Sequence, residues 1–205
     1  MENRQTVRDI LTTTSIYKGV VALPYTSDEF IDGSSILADL LYQLEPKRVA
    51  EVGVGIGMTT RYLCNFPFIE EVVCVDTWDA KSVDNPNRTM FEQFLANCYH
   101  SEIWSKVYPL RMTSLAGVEE CSALGLSFDM IWINADHLTT SVKNDIVMWM
   151  PLLAPGGLIG GGAWGWITEP YNVRKAVIES AAIVGMKVNS HGNMWWYTKQ
   201  EKENV

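Results

Sequence analysis

Three glycines at alternate positions follow a short apolar run, and they constrain the fold more than any other feature of the chain. The segment reads Glu-Val-Gly-Val-Gly-Ile-Gly, with glycines at Gly53, Gly55 and Gly57. A strand pattern precedes it and a helical pattern follows. Glycine permits a tight turn and a close approach between backbone and ligand. Between a strand and a helix, such a loop predicts a cofactor-binding turn.

The size and charge of the chain restrict the classes of protein it can belong to. It has 205 residues, which is enough for one well-packed domain and short for two. The net charge is −8, so we expect no nucleic-acid partner, because an acidic chain is repelled by phosphate. Neither a signal peptide nor an apolar membrane span is recognisable, so we expect a cytoplasmic protein with no membrane association. The four cysteines lack metal-finger spacing and are expected to be buried free thiols.

Strand and helix patterns alternate along the chain after residue 45. Strands are predicted at residues 48–52, 71–76, 106–110, 128–134 and 158–160, and helices at 58–65, 88–99, 114–124, 139–153 and 170–184. Repeated strand–helix units imply a parallel sheet with right-handed crossovers. A hairpin of residues 186–190 and 194–198 adds an antiparallel strand at or near one edge.

These patterns predict one Rossmann-like, three-layer α/β/α domain. Its seven-stranded sheet is expected to be mostly parallel, with an antiparallel C-terminal strand. The domain is predicted to occupy residues 46–205, and residues 1–45 to form an N-terminal helical arm or cap. In that arm we expect a helix over residues 27–44, capped by Ser27 or Asp28.

The spacing of the glycines bears on which cofactor the loop holds. A dinucleotide fingerprint is G-x-G-x-x-G, whereas this loop is G-x-G-x-G, which argues against a nicotinamide-dependent oxidoreductase. Glu51 precedes the loop, and a carboxylate there suits a cationic or amine-bearing ligand better than a phosphate. Asp76 ends the next predicted strand, where an acid accepts hydrogen bonds from both ribose hydroxyls.

In these segments the chain resembles class I S-adenosylmethionine-dependent methyltransferases. The glycine segment is similar to their first motif, and Val-Cys-Val-Asp-Thr-Trp, ending at Trp78, to their second. Residues 128–137, Asp145 and residues 149–159 resemble a subgroup that includes macrolide sugar O-methyltransferases and cephalosporin-pathway proteins. The resemblance runs in order from about residue 30 to residue 159. It implies methyl transfer from S-adenosylmethionine to a small-molecule acceptor, with a hydroxyl as the expected target.

The resemblance also implies a cofactor site. Glu51 is expected to approach the methionine amino group, Asp76 to hold the ribose, and the segment 112–114 to line the adenine pocket. Trp78 either covers the adenine or anchors its loop in the core. The predicted cofactor-binding residues are Glu51, Gly53, Gly55, Gly57, Asp76, Thr77, Trp78, Thr113 and Asn134.

Polar residues leave the fourth predicted strand at the edge where ligands bind in open parallel sheets. His137 is a candidate base that removes a proton from an acceptor hydroxyl, with Asp136 beside it. The alternative is that His137 caps the next helix or pairs with Asp136. His137 and Asp136 are the predicted catalytic residues.

The expected metal ligands of related enzymes are missing from this chain. Metal-dependent relatives usually carry Asp at the position of Asn134 and a further acidic or His-Asp pair after the fifth strand, where this chain has Gly162 and Ala163. A hard divalent cation needs several oxygen ligands, preferably charged. We therefore expect no tightly bound metal. The same loss keeps open a catalytically degenerate protein that only binds a nucleoside or a partner.

Two tryptophans lie in a glycine-rich segment after the fifth predicted strand. Trp164 and Trp166 are expected near the acceptor mouth, where they stack on an acceptor, or else in the core or a subunit contact. The tryptophan-rich C-terminal half makes a homodimer an open possibility. In the last strand, Trp195, Trp196 and Tyr197 are expected to pack on alternate faces.

Overall fold

Seven strands form one sheet in the computed structural model, which describes residues 4–14, 17–25, 34–79 and 89–198. In chain order the strands are β1 (Arg48–Val52), β2 (Glu71–Asp76), β3 (Val107–Arg111), β4 (Phe128–Ile133), β5 (Leu153–Gly161), β6 (Asn189–His191) and β7 (Met194–Thr198). Their order in the sheet is β3-β2-β1-β4-β5-β7-β6. The first five are parallel, and β7 pairs antiparallel with both β5 and β6. The predicted fold class is confirmed.

Helices cover both faces of this sheet. They are α1 (Val7–Thr13), α2 (Ser34–Leu44), α3 (Met58–Cys64), α4 (Met90–His100), α5 (Ser114–Ala123), α6 (Thr139–Trp149) and α7 (Val173–Val184). Successive strand residues point to opposite faces, so Val49 packs with α1–α4 while Ala50 packs with α5–α7. Two apolar cores result, one on each side of the sheet, which is the predicted three-layer arrangement.

The Pro-Gly-Gly sequence at residues 155–157 is typical of a turn, yet it lies inside β5, which begins before the predicted strand at 158–160. Pairing with β4 skips from Leu153 opposite Phe128 to Leu158 opposite Met130, so an irregularity absorbs the intervening residues. The predicted helix over 139–153 ends earlier, at Trp149, and a 3₁₀ turn over Met150–Leu152 follows. Pro151 has no N–H to continue the α-helical pattern.

The last predicted helix also begins later than expected. It starts at Val173, where the Asn172 side chain accepts a hydrogen bond from the Lys175 N–H. Pro170 therefore lies in the preceding loop and not in the first turn of the helix. The start of α7 is set by this side-chain cap, which supplies a partner for an otherwise unpaired amide.

The expectations for the last strand and for the cysteines are confirmed. Trp195 and Tyr197 are buried on the face of α5–α7, and Trp196 packs on the opposite face. The four described cysteines are buried free thiols. Among the described residues, no helix has both the length and the apolar character needed to cross a membrane.

The region before residue 45 shares a core with the sheet. Val7 and Leu11 of α1 and Leu37 and Leu41 of α2 are buried in the same cluster as β1. The predicted domain boundary at residue 45 stays a prediction. The predicted caps Ser27 and Asp28 lie outside the described residues.

The loop after β1 packs tightly against the loop after β4. Gly53 has a φ of +82°, and a Cβ there would lie 2.3 Å from the Ala135 Cα and 2.4 Å from the Asn134 carbonyl oxygen. Both the backbone angle and the lack of space require glycine. This glycine therefore brings the carboxyl ends of two neighbouring strands together.

We predict that Gly53→Ala lowers the free energy of unfolding by about 2–4 kcal/mol, since backbone strain and steric overlap both oppose it. Urea denaturation followed by circular dichroism measures the loss. Gly125→Ala is the matched control, because Gly125 has a φ of +65° but nothing within 4 Å of an added Cβ. A similar loss in both variants would contradict the packing argument.

Candidate active site

A cavity of about 1030 Å³ opens at the carboxyl ends of β1, β2 and β4. Parallel strands present these ends at one edge of the sheet, where their loops meet. Small-molecule sites commonly measure ~300–1,000 Å³, so this cavity has room for a ligand and a second reactant. Its wall includes these predicted site residues: Gly53, Gly55, Asp76, Thr77, Thr113, Asn134, Asp136 and His137.

The Asp76 carboxylate holds the glycine loop in place. Its Oδ2 accepts hydrogen bonds from the backbone N–H groups of Val54 and Gly55 at 2.8 and 2.9 Å, and its Oδ1 accepts one from the Trp78 N–H at 2.8 Å. Gly55 has a φ of +55°, and no atom lies within 4 Å of the place where its Cβ would be. The backbone of Gly55 is therefore open to a ligand beside an ordered carboxylate.

Trp78 anchors its loop and does not line the cavity. The side chain is buried, its Nε1 donates to the Gly55 carbonyl at 2.7 Å, and its ring lies 4.9 Å from the rings of Phe91 and Phe94. Of the two predicted roles, this packing supports the loop anchor, because α4 supplies an aromatic pocket for the indole, and contact with an adenine stays a prediction. Gly57 also lies outside the wall, and a Cβ there would lie 2.9 Å from the Phe94 ring.

The Glu51 carboxyl lies behind the glycine loop and outside the cavity wall. It is fully buried, and its Oε2 accepts a hydrogen bond from the Thr60 hydroxyl at 2.5 Å, while Oε1 has no hydrogen-bond partner. Burial raises the pKa of Glu51 to about 8, with a further rise from the Asp76 charge, against the opposing Thr60 hydrogen bond. Its contact with the methionine amino group stays a prediction.

Asp136 and His137 take different roles at the end of β4. Asp136 accepts hydrogen bonds from the Leu138 N–H at 3.0 Å and the Ser141 hydroxyl at 3.0 Å, so it orders the start of α6. The His137 ring lies 4.9 Å from the Trp166 ring and lines the cavity. Burial lowers the pKa of His137, while the Asp136 charge opposes that shift. A neutral imidazole on the cavity wall can accept a proton.

Asp145 is a cavity residue that the predicted site left out. Its Oδ1 accepts a hydrogen bond from the Ser114 hydroxyl at 2.5 Å, and that hydroxyl accepts one from Trp149 Nε1 at 2.9 Å. Burial raises the pKa of Asp145 to about 6, against the Ser114 hydrogen bond. In the sequence, Asp145 is a charged residue beside the apolar Ile146 on the inward face of the predicted helix. A charged residue at such a position is the signal that could have identified it as a site residue.

Thr77 and Thr113, both predicted cofactor-binding residues, also line the cavity. Thr113 caps α5 through a hydrogen bond from the Ala116 N–H to its hydroxyl at 3.3 Å. The neighbouring Met112 and Ser114 also line the cavity. The segment 112–114 therefore reaches the cavity, and its contact with an adenine stays a prediction.

The side chains around Asn134 offer few ligands to a metal ion. A Cβ on Gly162 would lie 3.9 Å from Asn134 Oδ1, so positions 134 and 162 are neighbours. The first carries an amide and the second no side chain. In the described ranges, no group of three His, Cys, Asp or Glu side chains is placed to hold a metal.

The two tryptophans after β5 differ in their surroundings. Trp164 is half-buried, with the Arg174 guanidinium 5.0 Å from its ring centre. Trp166 is 47% exposed and lines the cavity beside His137. Trp164 thus packs against α7, and Trp166 lies at the mouth.

Residues 50–161 match the family model described as a methyltransferase domain. The chain belongs to the methyltransferase domain family. The match covers β1 from residue 50, the glycine loop, β2 and β4. It therefore includes the strand ends at which the cavity opens. No curated protein sequence matches the chain.

Solved structures share the fold over nearly the whole methyltransferase chain. An O-methyltransferase from Bacillus cereus in complex with SAH is 14% identical, with a TM-score of 0.64 over 97% of this chain and 93% of that one. A putative O-methyltransferase from Klebsiella pneumoniae is 18% identical, with a TM-score of 0.64 over 94% of each chain. The O-methyltransferase TomG from Streptomyces achromogenes, in complex with SAM, is 14% identical, with a TM-score of 0.63 over 95% of this chain and 90% of that one. At these identities the similarity shows the fold.

We predict that Glu51→Gln changes the pH dependence of stability. The folded pKa of Glu51 is about 8 against an ordinary 4.5. Its contribution is therefore greatest below pH 4.5 and is lost as the pH rises through 8. Between pH 5 and 8 the wild type should lose stability relative to Glu51→Gln, by up to about 1.4 kcal/mol per pH unit.

Urea denaturation at several pH values measures this difference. Glu119→Gln, which removes an exposed carboxyl from α5, controls for the change in net charge. A constant difference between the wild type and Glu51→Gln from pH 5 to 9 would show that Glu51 is not perturbed by burial.

Proposed function

We propose that this methyltransferase uses S-adenosylmethionine to methylate a hydroxyl of a small molecule. The observation that carries the proposal is the juxtaposition, on one cavity wall, of the Asp76-ordered glycine loop and the imidazole of His137. The glycine loop with Asp76 is suited to binding a nucleoside. The His137 imidazole is suited to accepting a proton from a hydroxyl. The complexes of similar structures with SAM or SAH support this choice of cofactor.

The cofactor is proposed to lie along the loops that follow β1, β2 and β3. Asp76 is partly exposed in the wall, and its Oδ1 has one backbone donor, which leaves a lone pair for a ribose hydroxyl. Gly55 offers open backbone for the methionine portion. Thr113 and Met112 lie further along the wall, where the adenine of the cofactor is proposed to bind. Three neighbouring loops would thus bind three parts of one molecule.

The proposed chemistry is a displacement at a methyl group. S-adenosylmethionine supplies a methyl bonded to a sulfonium, which is an electrophile. The acceptor oxygen forms a bond to that carbon as the carbon–sulfur bond breaks, and the hydroxyl proton passes to the neutral imidazole of His137. The Trp166 ring packs against this imidazole. Positioning of reactants accounts for much of the rate enhancement in such reactions.

We propose that no tightly bound metal takes part. Asn134 supplies one neutral oxygen, and Gly162 beside it supplies no side-chain ligand. Asp136 supplies one carboxylate, whose two oxygens also order the start of α6 by accepting hydrogen bonds from Leu138 and Ser141. A divalent cation prefers several charged oxygens, and this donor set does not fit one. The proton is therefore assigned to His137 alone.

The relation to macrolide sugar O-methyltransferases and cephalosporin-pathway proteins is retained as a proposal from the sequence segments at 128–137 and 149–159. A homodimer is likewise proposed from the aromatic C-terminal half. Its test is the molar mass in solution, measured by light scattering.

We predict that Gly55→Val abolishes binding of S-adenosylhomocysteine measured by calorimetry. The added side chain would project into the space now open beside Asp76, and the φ of +55° disfavours a β-branched residue. We expect affinity to fall at least about 100-fold.

Gly125→Val is the matched control, because it imposes similar strain at a φ of +65° in a turn outside the cavity. It should bind S-adenosylhomocysteine as the wild type does. If the wild type itself binds neither S-adenosylmethionine nor S-adenosylhomocysteine, the proposed function is wrong.

We predict that His137→Gln lowers kcat about 100-fold or more, the usual contribution of a general base, while binding of S-adenosylhomocysteine is retained. Because the pKa of His137 lies below its ordinary 6.5, wild-type turnover should decline only in acid below that pH. Turnover is measured with an acceptor found in a panel of hydroxyl compounds. The exposed His191→Gln is the control, and undiminished turnover in His137→Gln would remove the base from the mechanism.

A further inference from the structure

The charges on the cavity wall are all of one sign. Asp76, Asp136 and Asp145 line the described wall, and no described Lys or Arg does. The electrostatic potentials of like-charged groups add, and the low-dielectric walls of a cleft strengthen the resulting field inside it. An acceptor that brings a carboxylate or phosphate would enter this field without a compensating cation.

Two cations that contact the loops around the cavity are engaged in other interactions. Arg174 donates through Nε to the Trp164 carbonyl at 3.3 Å and stacks on that indole. Arg111 donates to the Thr77 carbonyl at 3.3 Å, with its guanidinium 5.4 Å from the Phe91 ring. Neither lies in the cavity wall. Repositioning either toward an anion would break these contacts.

The acceptor side of the wall carries one open aromatic surface. Trp166 is 47% exposed at the mouth, and its ring is held by His137 at 4.9 Å and by the edge of Tyr171 at 6.3 Å. An indole held by these two rings presents a flat apolar surface next to His137. Ring-bearing ligands stack on such surfaces, and cations are attracted to indole faces.

Resting on the proposed function, we propose that the acceptor is an uncharged or cationic phenol that stacks on Trp166, and that anionic acceptors are excluded. A ring on Trp166 lies beside His137, where its hydroxyl can meet the imidazole. The three carboxylates then act on whatever charge the rest of the acceptor carries.

The strength of the base favours a phenol over an alcohol. Burial lowers the pKa of His137, which makes its imidazole a weaker proton acceptor. A phenol has a pKa near ~10, so its proton is far easier to remove than that of an aliphatic hydroxyl. A weak base therefore pairs best with a phenolic hydroxyl.

The test compares three probes that share one phenol and differ in charge: 4-ethylphenol, tyramine and 4-hydroxyphenylacetate. Each is titrated into the full-length protein saturated with S-adenosylhomocysteine, whose binding is first measured by calorimetry. We expect 4-hydroxyphenylacetate to bind at least about tenfold more weakly than tyramine at low salt, with a smaller difference at high salt.

Two variants test the aromatic surface. Trp166→Ala should weaken binding of 4-ethylphenol and tyramine by about three- to tenfold, the usual value of an aromatic pair, and Trp166→Phe should restore most of it. Tyr42→Ala removes another exposed aromatic side chain, 63% exposed on α2, and should leave all three affinities unchanged.

The outcomes separate the two proposals. If S-adenosylhomocysteine does not bind, the proposed function fails and the acceptor proposal fails with it. If it binds but none of the phenols does, or 4-hydroxyphenylacetate binds as tightly as the others, the acceptor proposal alone is wrong. Equal phenol binding by the wild type and Trp166→Ala would also overturn it.

Discussion

The candidate site depends on one carboxylate that is shared between two strands. Asp76 ends β2, yet its oxygens accept three backbone N–H groups, two of them from the loop that follows β1. Charge-assisted hydrogen bonds of this kind are stronger than neutral ones. They hold Gly55 open toward the cavity, and through the Trp78 amide they also order the loop after β2. Loss of this carboxylate would release both loops.

Two buried carboxyl groups lie on opposite faces of the sheet, one behind the glycine loop and one in the cavity wall. Glu51 lies on the face covered by α3, where the Thr60 hydroxyl is its hydrogen-bond donor. Asp145 lies on the opposite face, held by Ser114. Both groups lose favourable solvation on folding, which lowers the stability of the fold. Buried carboxyl groups with shifted pKa values are common at functional sites. At neutral pH Glu51, with a pKa of about 8, is mostly protonated, whereas Asp145, with a pKa of about 6, is mostly ionised and adds to the negative charge of the cavity wall.

Prediction was most accurate where local pattern and tertiary packing agree. The bounds of β1 and β2 match the sequence, because each is a short segment whose consecutive residues are buried on both faces of the sheet. It was wrong at the start of β5, where Pro155 and two glycines indicate a turn but pairing with β4 continues past them. It was also wrong about Pro170, since the Asn172 side chain decides where α7 begins. Local signals cannot report such long-range or competing hydrogen bonds.

The sequence by itself determined the order of strands and helices, the glycine loop and the polar residues at the ends of β1, β2 and β4, because strand ends and turns depend on nearby residues. Only the tertiary structure decided where side chains point. Trp78 turns inward because α4 brings Phe91 and Phe94 against it, and Asp145 reaches the cavity because α5 and α6 pack side by side. These contacts join residues far apart in the chain, so no local pattern contains them.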